Sequence, residues 1–225
     1  MIVAIDGTAT SGKSTLAKRL AKKLGFVYCN TGAIYRAIAI KITSIYGEEI
    51  CENEEELVDI ISKVKITESY DNGIFKITLD GEDVTDKIHT PFIDRFVGVY
   101  SKIGGIRKIV RTIQKEIATS NNSVVEGRDI GTVVFPNAEV KFYISADDKV
   151  RAQRRYDDYK KSGKECSFEE VLREIKARDE LDFNREISPL KPAEDAIIID
   201  NSGNDPDKMV DYLADIVNKK RQNLV

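Results

Sequence analysis

Nine residues near the start of the chain constrain the fold more than any other stretch. Gly7-Thr8-Ala9-Thr10-Ser11-Gly12-Lys13-Ser14-Thr15 follows a short apolar run, Met1 to Asp6, and fills the spacing G-x-x-x-x-G-K-[ST]. The glycines let the backbone close into a tight loop whose N–H groups point inward, a concavity that suits phosphate oxygens. Lys13 can reach the β- and γ-phosphates of a nucleoside triphosphate, and the Ser14 hydroxyl can ligate Mg²⁺. Leu16, Ala17, Leu20, Ala21 and Leu24 then recur at helical spacing. The order is therefore strand, loop, helix, with the helix N-terminus aimed at the phosphates. We expect an ATP or GTP phosphate site here; a Gly-rich turn with a surface lysine is the plainer alternative.

Composition narrows the class. With 225 residues, 41% hydrophobic and 32% charged, the chain can form one sizeable α/β domain with elaborations, or two small domains. No apolar run approaches the ~18 residues of a membrane span. The chain enters its first strand at once, so no signal peptide is expected. Cys29, Cys51 and Cys166 are odd in number and far apart; they make neither a zinc pattern nor a disulfide framework, which fits a reducing cytoplasm. A net charge of −3 argues against general nucleic-acid binding. A phosphate-binding protein of this charge must concentrate its arginines locally.

Short buried-type strands are expected at Ile2–Asp6, Phe26–Cys29, Ser123–Gly127, Val140–Ser145 and Ala196–Asp200, each followed by a turn or a helical stretch. That reads as a doubly wound parallel sheet. Helical periodicity covers Lys13–Leu24, Gly32–Tyr46, Glu54–Ser62, Ile103–Thr119, Asp147–Lys160, Ser167–Asp182 and Asp207–Lys220. Alternation on either side of Asp71-Asn72-Gly73 predicts a β-hairpin within an inserted subdomain. The polar break Lys160 to Lys164, with Gly163 inside it, is a candidate lid tip.

Several arginines fall where this sheet should present its carboxyl edge, the ligand-binding edge of such folds. Asn30 to Arg36 follows the second strand, and Glu126-Gly127-Arg128-Asp129 ends the third. Arg178, Asp182 and Arg185 are spaced by four and three, so they should share a helix face. Singly, each reads as a solvated charge or surface ion pair; together, at one edge, they read better as an anion pocket. The single histidine, His89, lies in the insert, where a surface or hinge role is expected, and no Ser-His-Asp or Cys-His set is available. Phosphoryl transfer needs none, because its catalysis is mostly positioning and charge neutralisation.

GTATSGKST, NTGAIYRAIA, LDGEDVTDKI, EGRDIGTVVFPNAEVKFYISA, RAQRRYDDY and EIKARDELDFNREISPLKPAEDAIIIDNS resemble bacterial cytidylate kinase from residue 1 to about residue 217. The stretches GRDIGTVVFP and RDxxDxNRxxxPLxPAxDA (from Arg178) carry this likeness far more specifically than the phosphate loop. LDGEDVT is similar to the insert that separates the bacterial enzymes from eukaryotic UMP/CMP kinases. The resemblance implies transfer of the ATP γ-phosphoryl group to CMP or dCMP. It also implies a P-loop three-layer sandwich: a five-stranded parallel sheet, an inserted monophosphate-binding subdomain with a small hairpin, and a helical lid. The core is expected at about 1–35, 105–150 and 185–225, the insert at about 36–104 and the lid at about 151–168. We expect a cytoplasmic monomer with no nucleic-acid or membrane partner.

By the same resemblance, Gly7, Thr8, Ala9, Thr10, Ser11, Gly12, Lys13, Ser14 and Thr15 bind ATP, and Ser14 binds Mg²⁺. Thr31, Tyr35 and Arg36 flank the monophosphate. Arg107, Arg128 and Arg185 pair with its phosphate, Asp129 accepts from the cytosine amino group, and Arg178 with Asp182 holds the ribose. Arg154 and Arg155 lead into the lid and reach toward the transferred group, so Lys13, Arg128, Arg154 and Arg185 form the catalytic set. Four positions depart from the family. Thr8, Ala9 and Thr10 stand where proline, a small residue and glycine are usual. Thr31 replaces serine and Glu126 replaces an aspartate with an indirect contact to Mg²⁺. Gly98 falls where a base-contacting serine is expected, with Ser101 one turn away.

Two other readings remain at this stage. A different small-molecule kinase on the same scaffold, such as a dephospho-coenzyme A or shikimate kinase, would lack the insert hairpin and the arginine-rich helix. A guanine-nucleotide switch should carry an N-K-x-D stretch, and none occurs.

Overall fold

The computed structural model describes residues 1–71, 74–119, 121–161, 163, 165–203 and 205–222. The strands are β1 (Ile2–Gly7), β2 (Val27–Asn30), β3 (Ile66–Asp71), β4 (Ile74–Leu79), β5 (Glu82–Asp83), β6 (Ser123–Glu126), β7 (Val140–Ser145) and β8 (Ile197–Asp200). The helices are α1 (Lys13–Leu24), α2 (Thr31–Tyr46), α3 (Glu54–Ser62), α4 (Pro91–Tyr100), α5 (Gly104–Thr119), α6 (Asp148–Lys161), α7 (Phe168–Asn184) and α8 (Pro206–Gln222), with a π-helical turn at Ile130–Val134. Five strands form one parallel sheet in the order β2-β6-β1-β7-β8, and β3-β4-β5 form a small antiparallel one. The expected α/β class and five-stranded parallel sheet are both present. The chain divides into two compact units, Met1–Gly25 with Val124–Val225, and Phe26–Ser123.

In the first unit β1, β6 and β7 are almost wholly apolar because both of their faces are covered, whereas the edge strand β8 leaves Ile197 and Ile198 exposed. Val3, Ala4 and Ile5 of β1, Val124 and Val125 of β6, and Phe142 and Ile144 of β7 are all buried. Gly7 ends β1 opposite Ile144. Its φ is +152°, and a Cβ there would lie 1.9 Å from the Ile144 carbonyl oxygen, so only glycine lets the chain turn off the sheet at this point. Helix α7 starts on a capping box, in which the Ser167 side chain accepts from Glu170 N–H while the Glu170 carboxylate accepts from Ser167 N–H. Helices α6 and α7 bury Ala152, Val171 and Ile175 between them, with Tyr156, Tyr159 and Phe168 packed alongside.

The second unit is built on α2, whose Ala33, Ile34, Ala37, Ile38 and Ile42 are buried. Asn30 caps this helix, its side chain accepting from Ala33 N–H. The hairpin lies where alternation predicts it, pairing Ile66 with Leu79 and Asp71 with Ile74; its expected turn, Asn72-Gly73, falls outside the described residues. Tyr28 packs edge-on against Tyr70 and Phe75.

Three elements differ from the expectation. Helix α4 has no counterpart in it. Thr90 caps that helix and Pro91 opens it, and the aromatic series Phe92, Phe96, Tyr100 stacks along one face. The π-helical turn at Ile130–Val134 was not anticipated. Arg185 does not share the helix face of Arg178 and Asp182: α7 stops at Asn184, and Arg185 is an extended C-cap residue, φ −64° and ψ 139°. Its Nε donates to the Ser188 carbonyl three residues on, and that local bond competes with continuing the helix. Of the candidate lid tip, Ser162 and Lys164 lie outside the described residues.

Candidate active site

The phosphate loop is closed by its own side chains. Ser11 Oγ and Lys13 Nζ both donate to the Thr8 carbonyl, at 3.0 and 3.3 Å. Arg154 donates to the carbonyls of Ser11 (3.2 Å) and Asn201 (2.7 Å), and Asn201 Nδ2 donates to Ser11 at 2.8 Å. Arg151 Nη1 donates to the Ala9 carbonyl at 3.1 Å. With φ +86°, Gly12 leaves no room for a side chain beside Asn201. Among the described residues the buried Thr8 hydroxyl and Asn201 Oδ1 have no hydrogen-bond partner, so the loop carries unspent polar capacity, as a site for a polar ligand should.

Lys13 is 8% exposed at the start of α1. Burial and the nearby Arg128 guanidinium pull its ammonium down to about 7, against the raising fields of Glu126, Asp182 and Asp6. A bound polyphosphate would supply the negative charge this lysine lacks. Ser14 donates to Glu126 Oε2 at 2.7 Å. A hydroxyl and a carboxylate at that separation are the hard oxygen donors that Mg²⁺ takes, so these residues fit the expected ion.

Arg128 follows β6 and donates through Nε to Asp182 Oδ2 at 2.8 Å; Arg178 Nε is 3.6 Å from the same oxygen. Burial alone would raise the Asp182 carboxyl, yet the fields of Arg128, Arg178 and Arg185 outweigh it and hold the group below the usual carboxylate range. Asp129 is 5% exposed and opens the π-helical turn, its carbonyl accepting from Val133 and Val134 N–H at 2.9 and 3.1 Å. The first unit thus gathers Lys13, Ser14, Arg128, Asp182 and Arg178 around shared partners. Arg154, expected to reach toward the transferred group, rests on the phosphate loop. Arg155 stacks over the Tyr159 ring, 4.6 Å from its centroid.

The second unit holds the other expected residues. Arg36 donates to Asp94 Oδ1 through Nε (3.1 Å) and Nη2 (2.8 Å), and through Nη1 to the Gly32 carbonyl at 3.1 Å. Arg107 is 3% exposed and donates to the carbonyl of Ser101, the C-cap of α4, at 3.0 Å. The Thr31 hydroxyl accepts from Gln114 at 2.6 Å and keeps its own proton to donate. Tyr35 is partly exposed on α2, and Gly98 lies inside α4.

Sequence reasoning missed four residues that shape these sites: Asp6, Asp94, Arg151 and Asn201. Asn201 and Asp6 follow or end strands at the carboxyl edge, and that position was the available signal. Arg151 reads from sequence as one more charge on a polar helix. Only the structure reveals it 2% exposed, spanning the Ala146 and Ala9 carbonyls and the carboxylates of Asp148 and Asp179.

The family description for cytidylate kinase matches residues 3–219. The chain belongs to the cytidylate kinase family. The cytidylate kinase of Caldanaerobacter subterraneus subsp. tengcongensis is 45% identical over 218 residues, covering 96% of this chain and 94% of that protein. That of Thermotoga maritima is 42% identical over 218 residues and 97% of each chain, and that of Carboxydothermus hydrogenoformans is 42% identical over the full length of both. A solved shikimate kinase from Bacteroides thetaiotaomicron aligns over 97% of this chain and 98% of that one with 12% identity and a TM-score of 0.49, a likeness too distant to argue for a shared substrate. Membership in the family sets aside the shikimate, coenzyme A and guanine-switch readings.

Proposed function

We propose that this protein transfers the γ-phosphoryl group of ATP to CMP or dCMP, giving ADP and CDP or dCDP. The observation that carries the reading lies within one unit. Ser14 of the phosphate loop bonds Glu126, two residues before Arg128 and three before Asp129, which supports a donor site and an acceptor site at adjoining strand ends. The names of the related proteins support the same substrate.

In this reading Gly7–Thr15 cradle the ATP phosphates, and Lys13 neutralises charge that builds on the transferring group. Mg²⁺ would be held by Ser14, with Glu126 beside it. When bound, the ion supplies charge neutralisation across the phosphates. Arg36, Arg107, Arg128 and Arg185 are the groups proposed to engage the acceptor phosphate. Thr31 and Tyr35 flank it, and Arg178 with Asp182 holds the ribose. Tyr156–Lys164 acts as a lid that excludes water. The protein works as a cytoplasmic monomer without nucleic acid.

Asp129 selects the base. Its carboxylate accepts from the cytosine amino group but would face a carbonyl lone pair of uracil with no proton between them. A site built to bond a polar group rejects the analogue lacking it, so UMP should be poorer than CMP by a factor of ~10² or more. Coupled ADP release across the four ribonucleoside monophosphates and dCMP tests this. The expected result is turnover of CMP and dCMP with little of UMP, AMP or GMP. Use of UMP within a few-fold of CMP would overturn the Asp129 assignment, and turnover of neither pyrimidine would overturn the functional reading.

A further inference from the structure

Asp6 ends the apolar core of β1, directly before the phosphate loop. Its side chain is not expected to touch either nucleotide. The carboxylate is 3% exposed and accepts from two consecutive backbone N–H groups, Ile130 at 2.8 Å and Gly131 at 2.7 Å. Those two residues follow Arg128 and Asp129 in the chain. A carboxylate with both oxygens engaged by neighbouring peptides fixes where those peptide planes lie and how they turn. The turn it grips is π-helical, a geometry seldom stable by its own hydrogen bonds, so an external anchor matters more here than on an ordinary helix. Gly131 allows the close approach: a Cβ there would come within 3.4 Å of Asp6 Oδ2 and 3.1 Å of the Lys141 stem.

We infer that Asp6 is a positioning residue for acceptor-base recognition: by holding the N–H groups of Ile130 and Gly131 it sets the aim of Arg128 and Asp129, and through them the preference for cytosine over uracil. This rests on the proposed function and adds a residue to it.

The clamp also titrates. Burial, the largest influence, pushes the Asp6 carboxyl up to about 6 and the Asp129 charge adds to it, while the two N–H groups and Arg128 pull it down. Lys13 on α1 and Tyr143 on β7 also feel its field, and the Lys141 stem on β7 packs beside Gly131. Above this value both oxygens accept. Below it one carries a proton and leaves an N–H unpaired, so discrimination should hold at neutral pH and erode as pH falls through about 6.

The test compares full-length wild type with Asp6→Asn, which keeps the size but only one acceptor oxygen. At about pH 7.5 the variant should lose ~10-fold in kcat/KM for CMP, as expected for one lost charged hydrogen bond, with KM for ATP within about two-fold. Its CMP-to-UMP ratio should contract about as much. The CMP phosphate titrates in the same range in both enzymes, so the variant-to-wild-type ratio cancels it; that ratio should rise from about 0.1 at about pH 7.5 to about 0.3 at about pH 5.5 and approach one only below about pH 5. Equal losses on CMP and UMP, a matching rise in ATP KM, or a ratio flat with pH would overturn the inference and leave Asp6 a structural anchor. A reading independent of the variant's folding comes from wild-type amide resonances. Those of Ile130 and Gly131 should shift together with a midpoint near 6, and their failure to titrate would equally overturn it. Wild-type enzyme inactive on CMP would overturn the functional reading as well.

Discussion

In the unit formed by residues 1–25 and 124–225, Arg128 and Arg178 share the carboxylate of Asp182, whose side chain is only 6% exposed. In the unit formed by residues 26–123, Arg36 is paired with Asp94, which is 34% exposed, and Arg107 rests on a backbone carbonyl. In the first arrangement the buried Asp182 carboxylate is held by two guanidinium groups, Arg128 at 22% and Arg178 at 40% exposure. The second holds its arginines by a half-exposed carboxylate and by helix ends. A half-exposed ion pair contributes about 0–1 kcal/mol, so an incoming phosphate can take over Arg36 at little cost. Breaking the Arg128–Asp182 pair strands a buried carboxylate, which costs several times more. The Asp182 pair of the first unit is therefore committed before the ligand arrives, whereas in the second Arg36 stays exchangeable and Arg107 is buried on its carbonyl.

The largest effect belongs to the first unit. Lys13→Ala should lower kcat by ~10²–10³-fold, since one preorganised charge on the transferring group is worth that much in a dry site. Near wild-type turnover with CMP would show that the phosphate loop is not the reacting centre. Next come the arginines. Lysine cannot reproduce the guanidinium fork, so Arg36→Lys, Arg107→Lys, Arg128→Lys and Arg185→Lys should each lose ~10-fold or more in kcat/KM for CMP, with ATP KM less affected. The comparison sharpens this order. Arg128→Lys should also lower the unfolding midpoint because Asp182 is left poorly paired, whereas Arg36→Lys should leave stability close to wild type. Equal destabilisation by the two would break the distinction between the units.

What was legible in the sequence does not follow the division into units: α3, in the second unit, has its expected bounds, and the unanticipated π-helical turn lies in the first. In the first unit, strands buried on both faces are near-continuous apolar runs, and the loop motif fixes strand, turn and helix at once; β7 and α1 have the expected bounds. Helix α4 shows where such reading fails. It is ten residues long, begins at a proline and is apolar at most positions, Ile93, Val97 and Val99 as well as Phe92, Phe96 and Tyr100, with only Asp94 and Arg95 charged. Candidate site residues could be named by type and position, not by partner. No spacing rule pairs Arg36 with Asp94, 58 residues away, or places Asp6 against Gly131, 125 residues away. The π-helical turn has no local sequence pattern, and its contact with Asp6, which accepts from Ile130 and Gly131 N–H, is long-range.

A smaller effect probes the electrostatics of the first unit. The Lys13 ammonium stands at about 7, well below its ordinary value. In the unfolded chain it would hold its proton to about 10.5, so between about 7 and 10.5 the unfolded state binds more protons, and this lysine's opposition to folding fades as pH rises. In the folded protein at about pH 8 it is mostly neutral, and the ATP phosphates should restore its charge. ATP binding at about pH 8 should therefore take up close to one proton, and at about pH 6 close to none. Calorimetric titrations in buffers of differing ionisation enthalpy read this directly. CMP binding at about pH 8 should take up none, because the guanidinium groups expected to meet its phosphate are already charged. Proton uptake of the same size for both nucleotides would remove Lys13 as the source.

The smallest expected effect compares two strained residues, one in each unit. Thr10 in the phosphate loop has φ +54° and Asp80 in the turn after β4 has φ +51°, a region that L-residues enter at a cost of roughly 1–2 kcal/mol. Asp80 is compensated: its carboxylate accepts from Lys65 N–H at 2.9 Å and from Lys41 at 2.7 Å, and the Lys41 bond, foremost, holds it below the ordinary carboxylate range. Thr10 is β-branched, the type least suited to this conformation, and its hydroxyl reaches only the carbonyl of Ala9, at 2.8 Å. Glycine, usual at this position in the family, relieves the strain but gives the unfolded chain more freedom, so the two effects partly cancel. Thr10→Gly should raise stability by about 0.5–1 kcal/mol in denaturant unfolding, whereas Asp80→Gly should lower it through loss of both bonds. ATP KM should stay within about two-fold in the Thr10 variant, because the loop contributes backbone N–H groups to the phosphates and these survive the change. A Thr10→Gly variant less stable than wild type would mean that the threonine side chain holds the loop closed, and the first unit would then depend on its strained residue as much as the second depends on Asp80.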